Sequence, residues 1–114
     1  RAKWPAMKIA LHLHDTRGLA VANAHAALKL GVSQFDSTVG GLGGCPFAGQ
    51  KGAAGNICTE ELVLLCEEMG IATGVDLDRL IEVGRMAEEI VGHLLPSELI
   101  HAGSLGAFRR VAAE

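Results

Sequence analysis

Residues 8–14, with the sequence KIALHLH, decide the fold of this chain. Aliphatic side chains stand at every second position of this stretch, and a lysine, an alanine and two histidines stand between them. Strict alternation of this kind predicts a β-strand with one apolar and one polar face. The elements that come next along the chain decide which kind of sheet the strand joins.

Helices and strands alternate after this first strand. An alanine-rich helical stretch comes next, and Gly31 is predicted to end it in a left-handed conformation. β-branched residues then predict a second strand over residues 32–39. The other expected features are a cap on the first helix at Asp15 or Thr16, a loop over 40–55, a helix capped by Thr59 and ended by Gly70, a helix from Asp76 to Pro96, and a short helix with a frayed tail over 97–114.

The order of these elements predicts an α/β protein with parallel strands. A closed (β/α)8 barrel takes about 250 residues, or roughly 31 per strand–helix unit. The 114 residues therefore correspond to only part of such a barrel. We expect residues 1–114 to form one domain, a partial (β/α)8 barrel.

Composition excludes several classes of function. The net charge is -3 and aromatic residues make up 4% of the chain, with no tyrosine. A nucleic-acid partner is therefore not expected, because the chain has neither a basic excess to hold the phosphate backbone nor a set of aromatic side chains on which bases could stack. No run of about 18 apolar residues predicts a membrane span. Three cysteines do not fit a paired disulfide framework, which favours a reducing compartment over secretion.

The two histidines of the first strand are candidate metal ligands. His12 and His14 lie two residues apart, so both project from one face with Cα atoms about 6.6 Å apart. That spacing lets two imidazoles converge on one cation at the carboxyl end of a strand, where barrel enzymes place their chemistry. The alternative is a pair of histidines that only form hydrogen bonds there.

The loop over 40–55 holds seven of the fifteen glycines and one cysteine. A thiol at Cys45 is open to a substrate and could act as an acid or a base. The alternative is a small side chain that closes a turn. Asn56 carries an amide oxygen suited to a magnesium-like ion, although an asparagine at this position could equally serve a turn or a cap. Cys58 and Cys66 are expected in the core.

Three motifs in this order resemble 3-hydroxy-3-methylglutaryl-CoA lyases. They are HLHDT at 12–16, GLGGCPF at 41–47 and GNICTE at 55–60. The stretch TGVDL at 73–77 is also similar to that family. The resemblance extends from Lys8 to about residue 103 and corresponds to the C-terminal part of the family's (β/α)8 barrel.

The resemblance implies a role for each matching residue. His12, His14 and Asn56 match the family's metal ligands, and His12 is also tied to catalysis. Cys45 matches the catalytic cysteine of the active-site loop, to which the glycines of the second motif belong, namely Gly41, Gly43 and Gly44. The cofactor is a divalent cation, Mg²⁺ or Mn²⁺.

The resemblance also implies the reaction and its setting. An acyl-CoA, 3-hydroxy-3-methylglutaryl-CoA, is split into acetyl-CoA and acetoacetate, a step in leucine degradation and ketone-body formation. The expected location is the bacterial cytoplasm or the mitochondrial matrix. The family's Arg-Asp-Gly type motif, which supplies a further metal ligand and a catalytic Arg, does not occur in these residues, and Arg17 stands where a Tyr is frequent.

Two other interpretations remain open at the level of sequence. A related Claisen-type synthase, such as an isopropylmalate or homocitrate synthase, shares a His-x-His and a later Gly-Asn, although the Gly43–Pro46 segment favours a lyase. A non-catalytic remnant that packs against a partner is the other. Under all of these interpretations we expect the chain to have a partner, which is a second copy of the chain or the missing half-barrel.

Overall fold

Two short parallel strands joined by a helix organise the chain. In the computed structural model, which describes residues 2–114, β1 (Ala10–His12) is followed by α1 (Ala20–Lys29) and β2 (Gln34–Asp36). The strands pair in parallel with Leu11 opposite Phe35. The predicted α/β class with parallel strands is confirmed for this unit.

Helices make up most of the remaining chain. A 3₁₀ turn (Val39–Gly41) follows β2 and opens the glycine-rich loop. The later helices are α2 (Thr59–Glu68), α3 (Leu77–Val91), α4 (Leu99–Ala102) and α5 (Leu105–Ala113). No helix within residues 2–114 is long and apolar enough to cross a membrane.

The segment between the loop and α2 is hydrogen-bonded to the ends of both strands. The Ile57 N–H donates to the Leu13 carbonyl over 3.0 Å, and the Ile57 carbonyl accepts from the Thr38 N–H over 3.1 Å. Two isolated bridges result, an antiparallel one between His14 and Asn56 and a parallel one between Thr38 and Cys58. The return of the loop to the sheet therefore places Asn56 beside the histidine strand.

The core has two parts. The first lies between the sheet and α1, where Ala20, Ala24, Ile57 and Leu62 are buried against Leu13 and Phe35. Ile57 is 1% exposed, and full burial of such a side chain stabilises a fold by about 1.5–3 kcal/mol. The second part joins α2, α3 and α4 through Val63, Leu77, Ile81 and Leu99.

Several boundaries differ from the sequence prediction. Both strands are three residues long, because the residues that follow them bond to the Asn56–Cys58 segment rather than to each other. The Asp15 carboxylate accepts from the Ala20 N–H over 3.0 Å, although Leu19 occupies the cap position of α1. The Asp76 cap is confirmed, since its side chain accepts from the Arg79 N–H.

Three helix-end predictions were wrong. Thr59 is the first residue of α2 and not its cap, because its hydroxyl donates to Ser37 instead. The third long helix ends at Val91, where Gly92 takes a left-handed conformation, five positions before Pro96. The expected frayed tail is a nine-residue helix, α5, capped by Ser104.

We predict that the chain associates with itself in solution. Within residues 2–114 each strand has one edge without a strand partner, and unpaired edges and exposed apolar faces favour pairing with another chain. Large apolar side chains are also strongly exposed, among them Ile90 at 78% and Phe108 at 70%. Sedimentation velocity should show the mean sedimentation coefficient rising with concentration through the micromolar range.

A double variant, Ile90→Glu with Phe108→Glu, provides the comparison. It removes two exposed apolar groups and increases the net negative charge, so it should shift the chain toward the monomer. A single monomeric species over the whole concentration range in the unaltered chain would contradict the prediction.

Candidate metal and active site

The two histidines converge at the carboxyl end of β1. His12 closes the strand, His14 follows two residues later, and their Nε2 atoms are 3.0 Å apart. The ring planes are inclined at 65° with centroids 4.9 Å apart. The alternation of side chains along an extended backbone produces this pair, as the sequence predicts.

A carboxylate lies behind the first histidine. Asp36 is directly opposite His12 in the strand register, and its Oδ2 is 3.6 Å from the His12 Nδ1. This is an ion-pair distance and too long for a good hydrogen bond. A carboxylate on the Nδ1 side favours the tautomer that carries its proton there, which makes Nε2 an acceptor, and in this structure the His12 Nε2 is within hydrogen-bond distance of the His14 Nε2.

Asn56 lies on the other side of the pair. In its antiparallel bridge with His14, the flanking hydrogen bonds run from Asp15 N–H to the Gly55 carbonyl at 2.6 Å and from Ile57 N–H to the Leu13 carbonyl. Residues opposite each other in such a bridge have their side chains on the same face, where they are close. The structure therefore brings together all three residues that the sequence singles out as metal ligands.

The spacing of the two imidazole nitrogens matches that of neighbouring ligands on a divalent cation. Neighbouring ligands of an octahedral ion with bonds of about 2.0–2.1 Å are about 2.9 Å apart, close to the 3.0 Å between the two Nε2 atoms. The Asn56 Nδ2 donates to the Leu42 carbonyl over 3.0 Å, which leaves Oδ1 as the free acceptor. Two imidazoles and one amide oxygen are neutral, however, and no three His, Cys, Asp or Glu side chains in the described part of the chain form a metal-binding group. The trio therefore presents imidazole nitrogens and an amide oxygen without a carboxylate.

Glycines let the loop fold tightly against this trio. A Cβ atom on Gly43 would lie 2.6 Å from the Asn56 Nδ2, and Gly43 has a φ of +102°, so both space and backbone conformation require glycine there. A Cβ on Gly41 would lie 2.6 Å from the Cys58 Sγ. Gly41, Gly43 and Gly44 line one wall of an open cavity whose far wall is formed by residues 93–96.

The loop cysteine stands apart from the histidines. Cys45 is half-buried, and its carbonyl accepts from the Ala48 N–H in a turn. It does not join the histidines in a metal-binding group. Cys58 and Cys66 are buried in the core as predicted, and burial raises the pKa of both thiols.

Two residues that organise the loop were not singled out from the sequence. The Glu60 carboxylate accepts from the Gly40 N–H, and the Thr38 hydroxyl donates to the Leu42 carbonyl over 2.8 Å. Glu60 carries a signal in the sequence, because an acidic residue stands three positions before Val63, in line with the apolar face of α2. Thr38 carries no signal beyond its β-branched side chain.

The chain has two parallel strands with a pair of histidines and a glycine-rich loop at their carboxyl ends. It is therefore an α/β protein whose polar site lies at that edge of the sheet. The profile of the HMGL-like family matches residues 1–87. The chain belongs to this family, and the resemblance to 3-hydroxy-3-methylglutaryl-CoA lyases is confirmed by individual relatives.

Curated relatives carry the name of that lyase. The hydroxymethylglutaryl-CoA lyase of Bacillus subtilis is 49% identical over 96 residues, which are 84% of this chain and 31% of that protein. The human mitochondrial hydroxymethylglutaryl-CoA lyase is 46% identical over 98 residues, which are 86% of this chain and 30% of that protein. The chain therefore spans about a third of the length of the curated relatives it matches.

Solved structures give the same result. The Bacillus subtilis HMG-CoA lyase has a TM-score of 0.82 at 46% identity, covering 89% of this chain and 33% of that one. An HMG-CoA lyase from Acinetobacter baumannii, in complex with coenzyme A and 3-methylmalate, has a TM-score of 0.76 at 53% identity. That match covers 84% of this chain and 31% of the other.

We predict that the chain binds Mn²⁺ weakly and that His12→Ala weakens the binding further. Hard cations prefer carboxylate oxygens, and the three ligands available here are neutral. Isothermal titration calorimetry with Mn²⁺ measures the affinity. His25→Ala is the matched control, because His25 is exposed on α1 and should leave the affinity unchanged. Tight binding that His12→Ala does not alter would contradict this assignment.

We also predict that Cys45 is alkylated before the other two cysteines. The thiolate is the reactive form, and burial raises the pKa of Cys58 and Cys66, whose residues are only 4% and 7% exposed. Mass spectrometry of peptides after brief treatment with iodoacetamide should find the label on Cys45. Unfolded protein is the control, in which all three should react at similar rates. Equal labelling in the folded chain would show that the core cysteines are accessible.

Proposed function

We propose that residues 1–114 are the late strands and helices of a (β/α)8 barrel, which form its C-terminal part. We also propose that the complete protein cleaves 3-hydroxy-3-methylglutaryl-CoA into acetyl-CoA and acetoacetate. The observation that carries the proposal is the convergence of His12 and His14, with Nε2 atoms 3.0 Å apart, beside Asn56 in a member of the HMGL-like family. The lyase names of the relatives support the choice of reaction.

An acyl-CoA is the proposed substrate. The related lyase from Acinetobacter baumannii was solved with coenzyme A and 3-methylmalate, a small hydroxy diacid. A thioester with a hydroxyl and a carboxylate on its acyl part has the same combination of groups. We place this substrate over the carboxyl ends of β1 and β2, against the glycine-rich loop.

The proposed cofactor is Mg²⁺ or Mn²⁺. His12, His14 and Asn56 would hold it from this chain, and the remaining ligands, including a carboxylate, would come from the rest of the barrel. When bound, the cation polarises the substrate's oxygen atoms and stabilises negative charge that develops on them. The free Oδ1 of Asn56 and the Asp36 carboxylate behind His12 are the features that support these roles.

The proposed reaction is a carbon–carbon cleavage with balanced proton transfers. A base removes the proton of the tertiary hydroxyl group. The bond between the carbon that bears this hydroxyl and the CH₂ next to the thioester then breaks, and the hydroxyl carbon becomes the ketone of acetoacetate. The bonding electrons pass to the CH₂ carbon as the enolate of acetyl-CoA. Cys45 then donates its thiol proton to that carbon. His12 contributes to catalysis through its position at the reacting oxygens.

The glycine-rich loop would bring Cys45 to the reacting carbon. In the structure the thiol stands apart from the histidines, on a loop whose glycines permit a change of backbone conformation. Closure over a bound substrate would deliver the thiol and exclude water, as active-site loops do in other enzymes. We also propose a second copy of the chain or the rest of the barrel as partner, and the bacterial cytoplasm or the mitochondrial matrix as location.

The test uses a hybrid in which this chain replaces the matching third of the Bacillus subtilis lyase. Cys45→Ala should lower turnover by about 10²–10⁴-fold, the usual contribution of an acid–base group, and should leave the affinity for Mn²⁺ unchanged. The reason is that a proton donor acts in the transition state, whereas the histidines and Asn56 bind the ion. Release of acetoacetate measures turnover.

Cys66→Ala is the control. Cys66 is buried on α2, away from the loop, so the variant should lose stability, on the order of 1 kcal/mol, and keep its turnover. Full activity of Cys45→Ala would refute the role of the thiol. A hybrid without cation-dependent release of acetoacetate would refute the proposed reaction.

A further inference from the structure

Glu60 is a buried carboxylate that does not belong to the candidate ligand set. It lies in the first turn of α2 and is 0% exposed. Within residues 2–114 it forms no ion pair. Its two oxygens instead accept from the backbone, and both lie close to the Gly40 N–H, at 2.8 and 3.0 Å.

Burial of a carboxylate without a cation is unfavourable. Desolvation raises the pKa of Glu60, and the hydrogen bonds from its own N–H and from Gly40 act in the opposite direction. The N-terminus of α2 also favours negative charge in its first turn. An apolar side chain could fill the same volume without this cost. The carboxylate is therefore explained by its hydrogen bond to the Gly40 N–H.

Gly40, whose N–H is bound by Glu60, is held through both its N–H and its carbonyl. Gly40 has a φ of +65°, and a Cβ at this position would lie 2.5 Å from the Leu95 Cδ1, so no side chain can anchor it. Its N–H donates to Glu60, and its carbonyl accepts from the Ser97 N–H over 3.2 Å. Glu60 and Ser97 therefore set the orientation of the two peptide groups that flank Gly40 through the backbone alone.

A continuous path of hydrogen bonds leads from this peptide to the candidate metal ligands. The next N–H, of Gly41, donates to the Thr38 carbonyl over 3.2 Å, and the Thr38 hydroxyl donates to the Leu42 carbonyl. The Leu42 carbonyl also accepts from the Asn56 Nδ2. The 3₁₀ turn that begins at Val39 thus determines where the Leu42 carbonyl points, and that carbonyl orients the Asn56 amide.

We propose that Glu60 is a positioning residue for the site. By accepting from the Gly40 N–H it fixes the 3₁₀ turn and the start of the loop that carries Cys45. Through the Leu42 carbonyl, the turn then orients the Asn56 Oδ1 toward the histidine pair. Glu60 touches neither cation nor substrate in this role. The part of the proposal that concerns turnover rests on the proposed function, whereas the part that concerns the turn and Asn56 does not.

The experiment uses the full-length hybrid enzyme and two variants of Glu60. Glu60→Met keeps a similar length and volume but has no oxygen to accept from the Gly40 N–H, and Glu60→Asp keeps the charge but is one methylene too short to reach it. Hydrogen exchange by mass spectrometry follows the peptide that contains Gly40. Calorimetry gives the Mn²⁺ affinity, and steady-state kinetics give kcat and KM.

Both variants should exchange faster at the turn and lose Mn²⁺ affinity. Loss of a group that orients a metal ligand typically costs about 10–100-fold in affinity or activity, and we expect a fall of about 10-fold in each variant. The fall in turnover should appear in kcat, with KM nearly unchanged, because the substrate's own contacts remain. Thr38→Val, which removes the next link of the path without a buried charge, should also lower the affinity.

Asp78→Asn is the matched control. Its carboxylate accepts from Ser104 and Arg110 between α3 and α5, so the variant removes one carboxylate and its ion pair with Arg110, away from the loop. It should reduce thermal stability and leave exchange at the turn, Mn²⁺ affinity and kcat unchanged.

The outcomes separate the two proposals. If the Glu60 variants lose only thermal stability, as Asp78→Asn does, Glu60 is merely structural and the inference is overturned. Unchanged Mn²⁺ affinity in Thr38→Val would overturn the path to Asn56. A hybrid that lacks lyase activity but shows faster exchange and weaker Mn²⁺ binding in the Glu60 variants would refute the proposed reaction and support the inference.

Discussion

The backbone of Ile57 is the interaction on which the rest of the structure depends. Its N–H and carbonyl are hydrogen-bonded to the segments that come after β1 and β2, and its side chain is buried in the core between sheet and α1. One residue thereby joins the two strands to the start of α2. Its neighbours are fixed as a consequence: Asn56 stands beside His14, and Glu60 enters the interior one turn later.

Close approach of backbone segments is the second constraint. Gly43 and Gly55 lie against each other, since a Cβ on Gly55 would be 2.7 Å from backbone atoms of Gly43 and Gly44. This contact closes the long glycine-rich loop at its base, so that the segment that carries Cys45 begins and ends at neighbouring glycines.

Carboxylates on the helices hold neighbouring segments through hydrogen bonds, most of them from backbone N–H groups. Glu60 accepts from Gly40, Glu61 accepts from the Ser97 hydroxyl and the Leu99 N–H, and Glu88 accepts from the Leu95 N–H. Each of these carboxylates lies on a helix and holds a residue in a turn, in a loop or at the start of another helix. The helices therefore define the loops around the site, and the sheet contributes the histidines.

Sequence alone determined the features that depend on local periodicity and chemistry. Alternation in KIALHLH fixed a strand with both histidines on one face, Gly31 and Asp76 marked helix ends, and Cys58 and Cys66 were assigned to the core. The length of the strands, the helical tail and the place of Asn56 were decided by tertiary structure, because they depend on hydrogen bonds between residues far apart in the chain. The role of Glu60 was decided in the same way: a helix pattern shows an acidic residue on an apolar face, but only the folded chain brings the Gly40 N–H within 2.8 Å of it. Local pattern specifies which groups are available, and long-range packing specifies which of them meet.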